Sequence, residues 1–100
     1  MLDELEMQLF LERLLGFIHK TKLPVAQAGK LFGVTPVAVS RWMRGKNRAA
    51  RWTADSVDAM INILDRVNMH NGLYRRVAEA PKNMRVDMLR DEYWRFQAKE

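Results

Sequence analysis

The chain has 100 residues, enough for one domain with a modest core of its own. Hydrophobic residues make up 48%, which excludes wholesale disorder, and the lack of cysteine excludes disulfides and thiolate metal sites. The formal charge of +5 sits in the central third: positions 20–52 hold eight bases (Lys20, Lys22, Lys30, Arg41, Arg44, Lys46, Arg48, Arg51) and no acid, while 1–19 are acidic and 53–100 are balanced.

A basic segment between acidic and neutral ones is the footprint of a polyanion partner; the competing reading is a solvated surface. The opening "MLDELEMQLFLERLLGF" is acidic and amphipathic, unlike the basic-then-apolar order of a secretory signal. No apolar run approaches the length of a membrane span. The expected setting is therefore cytoplasmic, with no membrane partner.

In chain order, the spacing predicts a first helix over 2–20. Leu2, Leu5 and Leu9, and then Leu11, Leu15 and Ile18, fall at helical spacing, and Phe10, Leu14 and Phe17 form a second stripe beside them. That is wider than one core-facing side requires. The expectation is that both stripes are core; the alternative is that one meets a partner subunit. A short second helix spans 25–32, with Pro24 at its start and Val25, Ala28, Gly29 and Phe32 on one face. The third spans 36–44, with Thr35 as N-cap, Pro36 at the first position and Gly45 ending it.

The fourth helix is expected over 54–69, capped by Thr53, with Val57, Met60, Ile61, Leu64 and Val67 buried and Asp55 and Asp58 near its positive end. "HNG" stops it. A fifth spans 73–80 and ends at Pro81. A sixth spans 83–98, with Val86, Leu89, Tyr93 and Phe96 on one face, although Met84, Val86 and Met88 alternate as a short strand does. The class is all-α, five to six helices, with a functional unit over 1–70 and a helical C-terminal extension over 71–100.

The stretch "GKLFGVTPVAVSRWMRGKN" carries the functional signal. Gly33 can take the positive φ of a tight inter-helix turn, Val34 can plug the corner, and Gly29 permits close helix approach. Val39 and Trp42 anchor the third helix inward. These are the demands of a helix-turn-helix. The third helix then shows solvent Val37, Ser40, Arg41 and Arg44, at i, i+3, i+4 and i+7. Such a stripe suits thymine methyls, base edges and phosphates.

"LPVAQAGKLFGVTPVAVSRWMRGKN" resembles the helix-turn-helix of the lambda repressor and Cro superfamily (motif 24–47), through Gly29, Gly33, Val34, Thr35, Val39, Trp42 and Gly45. The resemblance implies a lambda-repressor-like fold and a sequence-specific double-stranded DNA-binding regulator, a repressor, working as a homodimer in a bacterial or phage setting. It places the 36–44 helix in the major groove. Thr35 and Pro36, at the start of that helix, would meet phosphate or a base. Val37, Ser40 and Arg41 would face bases, and Arg44, Lys46 and Asn47 the backbone or the adjoining groove. Arg48 and Arg51, in the connection before the fourth helix, would touch phosphate. Two positions depart from the pattern. Val25 stands where glutamine often binds phosphate, and Gln27, two residues on, is the candidate substitute although it faces elsewhere on the helix. Leu31 stands where a polar residue is common, so either docking differs or Leu31 packs on the first helix.

Plainer roles compete: Thr35 as a cap alone, Trp42 as core, Val37 as a surface valine. The first helix and "YWRF" (93–96) are the candidate dimer surfaces, and the C-terminal helix could take a protein partner. The alternatives are a DNA-binding component of another machine (a small terminase subunit, recombination accessory factor or antitoxin) or a protein-interaction module that keeps the fold. His19 and His70 are far apart in sequence, and no P-loop or nucleophile elbow is present, so neither an enzyme nor a cofactor is expected.

Overall fold

The computed structural model describes residues 1–99, all of whose regular structure is helical. Six helices follow in order: α1 (Glu4–Thr21), α2 (Val25–Phe32), α3 (Pro36–Met43), α4 (Arg51–Asn71), α5 (Leu73–Glu79) and α6 (Lys82–Lys99). They fold into a body with a Cα radius of gyration of 13.2 Å.

Local chemistry fixes the ends of α1. Asp3 caps it, accepting from the Glu6 amide at 2.8 Å, while the Glu6 carboxylate accepts from the Asp3 amide at 3.0 Å. This reciprocal box satisfies two otherwise orphaned donors. Leu2 and Met7, on either side of the box, are both buried. The Leu2 amide also donates to the Ala49 carbonyl at 3.2 Å, which ties the N-terminus to the segment before α4. At the other end Lys22 takes the left-handed conformation (φ 54°), and buried Thr21 donates to the Phe17 carbonyl at 2.8 Å.

α1 buries one stripe fully and the other in part: Leu2 is buried and Leu11 and Ile18 pack against the core. Met7, Phe10, Leu14 and Phe17 are in the core, whereas Leu5, Leu9 and Leu15 are 64%, 53% and 40% exposed. The expectation that both stripes are core is corrected at Leu5, Leu9 and Leu15: α4 and α5, with Phe32 of α2 and Trp42 of α3, pack on the inner side of α1, and among the described residues these three leucines stay exposed.

α4 begins at Arg51, with Ala50 as N-cap, so Thr53 is inside the helix and does not cap it. A threonine marks a start only where the backbone ahead of it is non-helical. Here Ala50 is the last extended residue, and the Ala54 amide already closes a turn onto its carbonyl at 3.0 Å. The alternation of Met84, Val86 and Met88 lies within α6, so the strand reading there is also corrected. An isolated strand of that length would have no partner for its backbone groups.

The core draws Leu14 from α1, Val39 from α3, Val57 and Leu64 from α4, Leu73 and Val77 from α5 and Leu89 from α6, all at most 2% exposed. Aromatic contacts join the elements: Phe10 meets Trp42 edge-on at 5.5 Å, and Phe17 meets Phe32 at 5.5 Å and Tyr74 at 5.4 Å. The Tyr74 hydroxyl donates to Asp65 of α4. Burial, reinforced by that carboxylate, pushes the Tyr74 hydroxyl well above its ordinary pKa.

The C-terminal helices are packed onto the rest of the body. α5 lies against α1 and α4; α6 lies against α2, α4 and α5. Arg85, 9% exposed, is the junction. Its guanidinium donates to the carbonyls of Val77 and Ala80 (3.1 Å each), Ala78 (3.0 Å) and, across the molecule, Lys22 (2.6 Å). One fork thus serves four carbonyls at the end of α5 and the α1–α2 turn, and only arginine offers donors in that geometry. Arg85→Leu should cost about 3 kcal/mol, because the carbonyls lose their donor inside the protein. The check is a lower urea midpoint at unchanged slope, with Arg85→Lys recovering only part of the loss.

Candidate nucleic-acid interface

The α2–turn–α3 unit is set by backbone geometry. α2 ends in Gly33, which has φ 73° and donates to the Gly29 carbonyl. The Val34 amide donates to that same carbonyl at 3.0 Å. Glycine makes this left-handed turn without steric cost. Gly29 is needed for space: a Cβ there would lie 2.8 Å from the Val34 carbonyl oxygen and 3.1 Å from the Pro36 nitrogen. Both are backbone atoms, so the turn itself would have to shift.

α3 then starts cleanly. The Thr35 hydroxyl accepts from the Ala38 amide at 3.0 Å, and Pro36 takes the first position, where its missing N–H is not needed. Val39 (0% exposed) and Trp42 (6%) point inward. Arg44 is the C-cap, so the helix is one residue shorter than 36–44. Gly45, at φ 72°, turns the chain away as the Lys46 amide donates to the Arg41 carbonyl at 3.0 Å.

The outward face carries the expected side chains. Val37 is 60% exposed; Thr35, Pro36, Arg41 and Arg44 are exposed, and Ser40 is half-buried. Lys46, Asn47 and Arg48 follow as an exposed segment. Among the described residues no carboxylate lies within ion-pair distance of Arg41, Arg44, Lys46 or Arg48. The surface therefore offers two guanidiniums on one helical face, with an ammonium and a third guanidinium just past its end. Guanidinium forks match phosphate oxygens and the acceptor edge of guanine, and the valine methyls match a thymine methyl.

Two candidates stand apart from this group. Arg51 is the first residue of α4 rather than part of the connection, and it is tied to Glu6, with nitrogens 2.8 Å from both carboxylate oxygens. The Arg51 hydrogen bond, with help from the Asp3 amide, holds the Glu6 carboxyl at about 2 instead of 4.5. Gln27 is half-buried and borders a hollow between α2 and α6, beside Lys30, Asn83, Asp87 and Arg90. Its Oε1 is enclosed there without a hydrogen-bond donor. Leu31 is buried, at 4% exposure.

Sequence reasoning did not anticipate the brace on α2 from α6. Arg90 donates to the Lys30 carbonyl at 3.0 Å, near the C-terminal end of α2. The two residues are 60 positions apart, and no local period joins them. Among the described residues no group of three or more His, Cys, Asp or Glu is placed to hold a metal ion, and no helix is long and apolar enough to cross a membrane.

Two predictions follow from the geometry. Gly29→Ala should destabilise the fold by about 2 kcal/mol, because the clash is with backbone, measured as a lower thermal or urea midpoint. The Glu6 carboxyl, depressed in the folded state, contributes stability that is complete above about pH 4.5 and is lost as pH falls toward about 2. Arg51→Ala should therefore flatten the stability–pH curve in that window, measured by denaturant titration at a series of acidic pH values. No family model, curated protein or solved structure matches this chain.

Proposed function

We propose that the chain binds double-stranded DNA in a sequence-specific manner and regulates transcription as a helix-turn-helix protein of the lambda repressor and Cro type. The observation that carries this reading is the set of cations Arg41, Arg44, Lys46 and Arg48, without a carboxylate partner among the described residues, on and just past a short helix held by a glycine turn. Side chains with no carboxylate to neutralise them keep their charge available for phosphate. A helix fixed by Gly29, Gly33 and the Trp42 anchor keeps its side chains in register with base edges.

In this reading α3 enters the major groove. Val37, Ser40 and Arg41 face bases. Thr35 and Pro36, at the start of the helix, lie next to the sugar–phosphate strand. Arg44, Lys46, Asn47 and Arg48 hold the backbone. Arg51 supports the site through Glu6 rather than by contact, and Gln27 is left to the α2–α6 hollow. One such module touches few base pairs, so operator-level affinity needs two copies on half-sites about 34 Å apart or a multiple of that.

The test is repeated selection from a pool of random duplexes, followed by titration at two salt concentrations. The expected outcome is an enriched motif with inverted symmetry and steep salt dependence. Arg41→Ala should relax preference at one base position at a cost of about 1–3 kcal/mol. Lys46→Ala should weaken all sequences alike and lower the salt slope by about one. Salt-sensitive binding without enrichment would replace the regulator with a DNA-handling component of another machine. Absence of binding even at low salt would replace it with a protein-interaction module.

A further inference from the structure

The outer face of α1 holds a pattern that the folded chain does not use. Leu5, Leu9, Glu12 and Gly16 are spaced four, three and four residues apart, the seam spacing of paired helices. Leu5 and Leu9 are 64% and 53% exposed. Glycine is the poorest interior helix residue short of proline, so Gly16 calls for a reason. Neither of the usual reasons applies within this chain. Gly16 does not have positive φ, and a Cβ built on it would meet nothing within 4 Å. The helix thus accepts a weak residue at a point where its own fold has room for a larger one. Gly16 also lines a hollow between α1 and α4, with Glu12, Arg13, Phe17, Lys20, Ile61 and Asp65.

We propose that this face binds a second copy of the chain, α1 against α1 and antiparallel. Charge selects both the partner and the direction. The first turn of α1 is acidic (Glu4, after the Asp3 cap, with Glu6 already paired to Arg51) and the last is basic (His19, Lys20). Parallel pairing would set like charges side by side; antiparallel pairing sets the acidic end of each copy beside the basic end of the other. Positions 5 and 16 are equidistant from a midpoint between 10 and 11, as are 9 and 12. A two-fold axis at that midpoint places Leu5 of each copy over Gly16 of the other, where the hollow receives it, and Leu9 beside Glu12. A two-fold contact repeats each pair, so both leucines and both glycines are used. Glu12 is the polar member of the seam and sets its register rather than its strength. A single helix pair lies at the small end of interface sizes, so the dissociation constant is expected on the order of micromolar.

The inference goes beyond DNA recognition, and its test contains no DNA, so either reading can fail without the other. Sedimentation of the full chain over the micromolar range should show a monomer–dimer equilibrium. Leu9→Glu should weaken the dimer at least about tenfold, roughly 1.4 kcal/mol, with unchanged circular dichroism. Gly16→Ala should act in opposite directions, raising the thermal midpoint of the monomer while weakening the dimer. The chain has no cysteine, so register can be read directly. An oxidised mixture of the Leu5→Cys and Gly16→Cys variants should give a covalent dimer, and each variant alone should not. A wild type that stays monomeric throughout, a dimer indifferent to both Leu9→Glu and Gly16→Ala, or Leu5→Cys linking to itself would overturn the proposal.

Discussion

The missing side chain at Gly29 is the constraint on which the rest of the molecule depends. The Val34 carbonyl comes to within 2.8 Å of where a Cβ would stand, so α2 and the turn after it meet backbone to backbone. That contact, with the left-handed Gly33, sets where Thr35 can cap and where Pro36 can begin α3. The placement of α3 in turn decides that Val39 and Trp42 enter the core and that Val37 and Arg41 do not. Trp42 closes the arrangement against Phe10, so the main buried stripe of α1 is also what holds α3 down.

Charge is divided along similar lines. Several arginines are used to hold the protein together. Arg51 pairs with Glu6, Arg13 lies 3.3 Å from Asp58, Arg85 serves four carbonyls, and Arg90 braces α2. Arg41, Arg44, Lys46 and Arg48 have no such carboxylate among the described residues. Lys20, Lys22, Lys30, Arg66 and Lys82 are likewise without a carboxylate among the described residues, but only at the end of α3 are such cations gathered on one short helix and the segment after it, an excess that an external polyanion can neutralise. The acidic first turn of α1 lies beside the end of this segment, where Glu6 takes up Arg51 and Glu4 and Glu12 share a hollow with Asn47 and Arg48.

Local signals made much of this legible in the sequence. The turn glycines, the Thr-Pro start of α3 and the inward Val39 and Trp42 each follow from chemistry within a few residues. The six helices were legible for the same reason. The misreadings came where a local sign met a distant partner. Thr53 resembles a cap, but the helix starts at Arg51, a residue held by Glu6 from α1. Leu5, Leu9 and Leu15 have core-like spacing, yet what covers α1 is decided by the helices that pack on it, not by α1. Arg85 and Arg90 look like surface charges on an amphipathic helix, and their carbonyl partners lie on other elements. Gln27 is turned into the hollow beside α6, a position that only the packing of the last helix reveals.

The most direct test of the central claim is to follow the backbone amide resonances of the full chain as a short duplex is added at low salt. The account predicts the largest shifts over residues 33–48, at the turn, α3 and the segment after it, with α5 and the C-terminal half of α6 nearly silent. Shifts centred on α6 or on the outer face of α1, or no shifts at all, would contradict it.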